Sequence, residues 1–149
     1  MNKPTLPTAD PILKLENQLC FPLYAVSRQF TKAYQPHLQQ LGLTYPQYLV
    51  LLLLWEHGEL TVKELGERLL LDSGTLTPLL KRMEQRQWLS RRRDPQDERS
   101  VIIALQPAGQ ALQAGARCIP EQLAEKLQLT PTEFDALRGQ LNRILTLLS

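Results

Sequence analysis

From Ile12 to Tyr34 the apolar positions Ile12, Leu15, Leu19, Leu23, Val26, Phe30 and Tyr34 recur at spacings of three and four, which describes one face of a long helix. Pro22 falls inside that run and has no amide proton, so the pattern predicts either a kink there or a later start. Pro36 predicts the opening of a short second helix ending near Gly42. Thr44 is a good N-cap, and Pro46 suits the first turn of the helix that follows. That helix runs through YLVLLLLWEH to Gly58 and is apolar nearly all round, hence buried. Thr61 with Glu64 three residues later forms a capping box for the short helix VKELGERLL, and Asp72 or Ser73 caps the next, GTLTPLLKRMEQRQ. Trp88 to Arg93 and Arg99 to Leu105 have strand character, and Asp94-Pro95-Gln96-Asp97 between them reads as a turn. Residues 107–127 and 131–148 are two more helices, the second capped by Thr130 with Glu133 three residues on.

Two short helices joined by a tight turn, followed at once by a hairpin, spell a helix-turn-helix with a wing. The fold class is therefore mainly α with a small β-hairpin wing. The chain, 1–149, is expected to be a single domain, with residues 44–105 as its DNA-binding region. The outer helices, 12–42 and 107–149, carry apolar stripes that a lone domain of this size has nothing to cover with. A homodimer buries them most simply.

Composition adds one thing to this picture. At 149 residues and 43% hydrophobic the chain can form a core, and it is neither disordered nor of low complexity. Its net charge of +2 says nothing until it is resolved by position. Residues 81–99 hold seven bases, Lys81, Arg82, Arg86, Arg91, Arg92, Arg93 and Arg99, against four acids, a surplus of +3; the other 130 residues carry −1. The positive surplus thus lies on the end of the second short helix and on the wing, where phosphates would be met.

Ser73, Thr75 and Thr77 stand in the first turns of that helix, where short hydroxyls reach phosphates or base edges. Ser73 also reads as a plain N-cap. Lys81 and Arg82 follow, within reach of the backbone or a guanine edge. Arg91 and Arg93 share one strand face and Arg92 opposes them, so the three cannot all contact DNA alike. Arg99 is the candidate for a narrow minor groove, and Asp97 is placed to hold it.

The N-terminus has Lys3 and three prolines by position 11 but no apolar leader. The run Leu49 to Trp55 is far short of the roughly 20 residues a membrane span needs. A cytoplasmic protein with no membrane contact is expected, and its two cysteines, 98 positions apart, fit neither a disulfide scaffold nor a zinc motif. No metal or cofactor is implied. With no C-x-x-C, and no obvious partner for His37 or His57, the chain does not read as a thiol peroxidase or any other enzyme.

LTVKELGERLLLDSGTLTPLLKRMEQ followed by RRRDPQDERSVIIAL resembles the MarR family of winged helix-turn-helix repressors, with Asp97 to Arg99 matching its wing-tip D-x-R. LENQLCFPLY, LTYPQYLVLLLLWE and LDSGTLTPLLKRME are similar to the organic-hydroperoxide sensors of that family, the OhrR group. The likeness is good over residues 12–107 and weak in the C-terminal helices. It implies a dimeric repressor on a pseudo-palindromic operator, released when Cys20 is oxidised by an organic hydroperoxide. It further implies that Tyr34 and Tyr45 of the partner subunit hold the Cys20 thiolate, since phenol hydroxyls can donate hydrogen bonds to it. Phe21, Leu23, Tyr24 and Trp55 are the candidate apolar lining.

Two-cysteine members of the group carry a resolving cysteine in the C-terminal region. Cys118 lies there, but about two helical turns before the matching place, which Glu125 occupies. It is either a resolving thiol or an ordinary helix residue. In the second case a small cellular thiol takes that role. The alternative to redox control is a MarR-type repressor relieved by a small aromatic ligand. A constitutive DNA-architectural protein would respond to neither.

Overall fold

Pro22 decides where the first long helix begins. In the computed structural model, which describes residues 10–149, the chain enters through two single 3-10 turns, Pro11–Leu13 and Leu15–Asn17, before helix α1 (Cys20–Gln40). Pro22 then sits in the first turn, where its missing amide has no helical partner to lose. The late start is realised, and the apolar run from Ile12 is not one helix. The expectation for residues 1–9 falls outside the described range. Pro36 opens nothing: α1 passes through it to Gln40. The carbonyl of Lys32 loses its donor there, but Lys32 and Pro36 are both exposed, so water can replace the bond.

Helix α2 (Tyr45–His57) begins as expected. The side-chain oxygen of Gln47 accepts the Thr44 amide at 2.9 Å, and Gly58, at φ +75°, closes the far end in a conformation that suits glycine. A strand follows that periodicity could not show, β1 (Glu59–Thr61), because three residues carry no pattern. Helices α3 (Val62–Leu69) and α4 (Ser73–Gln85) form the helix-turn-helix. Thr61 and Glu64 cap α3 reciprocally, at 2.7 and 3.2 Å. Asp72, rather than Ser73, caps α4, accepting the Thr75 amide at 2.7 Å.

The wing strands β2 (Leu89–Arg93) and β3 (Val101–Leu105) pair antiparallel, and β1 joins the free edge of β3 to give the order β1-β3-β2. Leu60, Ile103 and Arg91 share one row of the sheet. Leu60 and Ile103 are buried against a core that includes Leu51 and Leu54 of α2, Leu65 of α3 and Leu76, Leu80 and Met83 of α4.

The segment 107–127, expected as one helix, is two: α5 (Pro107–Ala116) and α6 (Ile119–Leu127). Pro120 explains the break, since it can offer no amide to the carbonyl of Ala116. Gly109 lets α5 lie against β2: a Cβ there would collide with the Trp88 carbonyl. Helix α7 (Pro131–Leu148) ends the chain with none of its residues buried. Among the described residues, no helix is long and apolar enough to cross a membrane.

Candidate reading head and thiol site

Helix α4 separates its two faces cleanly. Leu76, Leu79, Leu80 and Met83 are buried. Ser73, Thr77, Lys81 and Arg82 are exposed, and among the described residues their side-chain polar groups have no protein partner. Thr75 is exposed as well, but its hydroxyl lies 3.3 Å from the Asp72 carboxylate that caps the helix. Capping therefore falls to Asp72, and the Ser73 hydroxyl has no protein partner among the described residues.

The wing arginines are held by bonds within the protein. Strand alternation turns Arg91 toward α4, where Glu84 takes its Nε at 2.7 Å and its backbone amide at 3.1 Å. Arg92, on the opposite face, reaches across β3 to Glu59 at 2.7 Å. Arg93 donates to the carbonyl of Glu98 at 2.7 Å and so braces the wing loop. Arg91 and Arg93 thus each have a partner within the protein. The Glu84–Arg91 pair, which sequence alone did not reveal, ties the wing to the reading helix. Arg99 is exposed, with no partner for its guanidinium among the described residues. Asp97 does position it, through the Arg99 backbone amide at 3.1 Å rather than the side chain. A carboxylate two residues before an amide in a turn is the signal for that contact.

Tyr34 of α1 and Tyr45 of α2 come together, with ring centroids 5.0 Å apart. Tyr48 joins them at 5.8 and 6.4 Å, and Trp55 stands 6.3 Å beyond Tyr48. The i, i+3 spacing of Tyr45 and Tyr48 was the overlooked sign that both share this face. Burial raises the Tyr34 hydroxyl above its ordinary value, with a contribution from Tyr45, and raises Tyr45 likewise. Tyr48 is pushed up to about 12, by burial first and then by its two tyrosine neighbours. All three therefore remain hydrogen-bond donors at neutral pH.

Cys20 is the first residue of α1, exposed and free. Tyr34 follows 14 residues later on the same helix, a rise of about 21 Å. One protomer cannot bring its own thiol to its own tyrosines. Nor does it assemble the expected lining. Phe21, Leu23 and Tyr24 are exposed by 46%, 38% and 60%, because the first turns of α1 have no second layer over them. Trp55 is elsewhere: its indole donates to the Gly109 carbonyl at 3.0 Å, and it faces a cleft of about 760 Å³ shared with Tyr48, Arg117 and Pro120.

Cys118 is also free and exposed, with its sulfur 3.6 Å from the Gly115 carbonyl. Gly115 lies against Leu41, the residue that ends α1. The two thiols therefore sit at opposite ends of α1, a helix of about 30 Å. A disulfide needs Cα atoms within about 7 Å, so these two cysteines cannot pair within one protomer. No group of acidic, histidine or cysteine side chains suited to a metal occurs among the described residues.

Residues 43–101, from the approach to α2 to the start of β3, match the MarR family. The organic hydroperoxide resistance transcriptional regulator of Bacillus subtilis is 53% identical over 133 residues, 89% of this chain and 90% of that protein. Reduced AbfR bound to DNA superposes with a TM-score of 0.76 at 42% identity, covering 90% of this chain and 94% of that one. The disulfide-formed AbfR gives 0.63 at 43% identity, covering 88% and 92%. AbfR comes from Staphylococcus epidermidis. With that relative 53% identical over 89% of this chain, the chain belongs to the MarR family, in its winged helix-turn-helix fold.

Proposed function

We propose that this protein is a cytoplasmic, redox-sensing transcriptional repressor. A homodimer binds a pseudo-palindromic operator and lets go when Cys20 is oxidised by an organic hydroperoxide. The observation that carries this is the separation along α1. A cluster of proton-bearing tyrosines waits at one end and an exposed thiol at the other, about 21 Å apart, so the pair is completed only by a second copy. Residues 12–42 and 107–149 would supply that dimer and 44–105 the reading head. The B. subtilis regulator's name gives the stimulus its class. The better superposition on reduced, DNA-bound AbfR than on its disulfide form supports reading the present conformation as the DNA-competent one.

In the dimer, the partner's Tyr34 and Tyr45 donate hydrogen bonds to the Cys20 thiolate, and Phe21, Leu23 and Tyr24 gain their apolar cover. The thiolate sulfur takes the terminal peroxide oxygen, the O–O bond breaks, and the alkoxide leaves and is protonated to the alcohol. Sulfur is oxidised by two electrons and the peroxide is reduced by two. The sulfenic acid then condenses with a thiol, releasing water. That thiol is Cys118 of the partner subunit or a small cellular thiol. Losing the thiolate–tyrosine bonds shifts the interface, and the two α4 helices leave the spacing of about 34–36 Å that successive major grooves require. A few kcal/mol of differential stability suffice.

Ser73, Thr77, Lys81 and Arg82 would meet the major groove and its phosphates, and Arg99 the minor groove. The test is operator release followed by fluorescence anisotropy with cumene hydroperoxide. Wild type should dissociate and Cys20→Ser should stay bound. Release of Cys20→Ser by the peroxide would sink the redox reading, and release by an aromatic carboxylate alone would put a ligand-relieved repressor in its place.

A further inference from the structure

Glu84 is the last residue but one of α4, where the partial negative charge of the final helix carbonyls disfavours a carboxylate. The wing compensates it. Strand β2 is an edge of the sheet. Glu84 accepts the Arg91 amide at 3.1 Å with one oxygen and the Arg91 Nε at 2.7 Å with the other. On the opposite face Arg92 donates to Glu59 at 2.7 Å. Among the described residues, these are the side-chain hydrogen bonds that tie the wing beyond Ser90 to the rest of the head; those of Arg93, Asp94 and Asp97 stay within the wing. The two attachments are unequal. The side chains of Arg92 and Glu59 are 46% and 54% exposed and form a single contact, which solvent and salt weaken. Those of Arg91 and Glu84 are 28% and 36% exposed. There the carboxylate holds main chain as well as side chain, so it fixes the strand itself.

We infer that Glu84 is a positioning residue for minor-groove reading: through Arg91 it sets the angle of the wing to α4, and so where Arg99 lands while α4 lies in the major groove. The inference deepens the operator-binding reading and rests on it, with Arg99 as the minor-groove contact. Arg91 pairs across the sheet with Ile103, and Arg99 stands four residues before Ile103, a reach of at most about 14 Å. A tilt of about 10° at the Arg91 row swings Arg99 by about 2 Å, more than a positioned contact tolerates. The charge of Glu84 itself opposes phosphate binding, so its contribution is geometric.

The experiment uses full-length protein and a DNA duplex that the wild type enriches from a random pool, with affinity read by fluorescence anisotropy. Two base analogues, scanned across the half-site, separate the grooves. Diaminopurine in place of adenine adds an amino group in the minor groove, and deazaadenine removes a ring-nitrogen acceptor from the major groove. In wild type each should weaken binding about fivefold or more at its most sensitive position. In Glu84→Ala and in Arg91→Ala the diaminopurine penalty should vanish and the deazaadenine penalty should stay. These two variants change the net charge in opposite directions, so a purely electrostatic effect would drive them apart. A misfolded head would lose both penalties together. Glu59→Ala removes the same charge as Glu84→Ala and should keep both. The positioning role is overturned if wild type shows no diaminopurine penalty, if the penalty survives in Glu84→Ala, or if Glu59→Ala loses it equally. Loss in Arg91→Ala alone also overturns it and makes Arg91 a direct contact. A wild type that enriches no duplex overturns the operator-binding reading instead.

Discussion

Helices α4 and α7 carry the same kind of apolar stripe and meet opposite fates. In α4, Leu76, Leu79, Leu80 and Met83 are at most 5% exposed, closed over by α2, α3 and the sheet. In α7, Phe134, Leu137, Leu141 and Leu145 are 41–47% exposed. The reading head is thus complete in one chain, and the ends are half of a structure whose other half is another copy. The first region closes its own core, and the second leaves its apolar stripe open.

That contrast can be broken from either side. Leu80→Ala removes a fully buried side chain and should cost about 2–5 kcal/mol, read as a lower denaturant midpoint. Leu141→Glu in α7 should leave the helical circular dichroism of the head nearly intact and weaken self-association at least tenfold, by the measure of sedimentation equilibrium across a dilution series. Equal loss of head structure in both variants would erase the distinction. Gly109→Ala forces a methyl onto the Trp88 carbonyl and strains the joint where α5 meets the head. A loss of about 1–3 kcal/mol is expected, together with altered fluorescence from Trp55, whose indole donates to Gly109.

Smaller effects sharpen the picture within each region. The folded state holds the Tyr48 proton up to about 12, against 10.0 for an ordinary tyrosine. Its contribution to stability is therefore whole below pH 10 and is lost as pH rises toward 12. Tyr48→Phe should flatten that alkaline fall in urea midpoints, and an unchanged slope would remove the burial argument. At the head, Arg99→Ala should weaken operator binding and lower the salt slope by about one unit. Arg92→Ala, which loses a cation already paired with Glu59, should change the slope less. Equal changes would mean the wing pairs open on DNA.

Capping signals were the most legible part of the sequence. Thr44, Thr61 and Thr130 start helices where their spacing to Gln47, Glu64 and Glu133 says they should. These contacts span three residues and need nothing from the rest of the fold. Proline was legible as an interruption but not in kind. Pro22 sits in a first turn, where no helical bond is lost; Pro36 is absorbed by a helix and Pro120 divides one, according to whether the orphaned carbonyl can reach water. Strand β1 was invisible, since only its pairing with β3 makes it a strand. In the candidate site, Ser73, Thr77, Lys81, Arg82 and Arg99 were readable as exposed polar positions of a reading head. The internal bonds of Arg91 and Arg93 were not readable, because their acceptors at Glu84 and Glu98 are fixed by how the hairpin folds back.

The sequence by itself determined the helix-turn-helix, the wing and the concentration of positive charge upon them. Local periodicity and charge placement survive any tertiary arrangement. Only the tertiary structure decided which of those charges have partners, that Tyr48 completes the tyrosine cluster, and that Cys118 lies near the far end of α1 from Cys20. The contacts among these groups join residues far apart in the chain, and packing sets them.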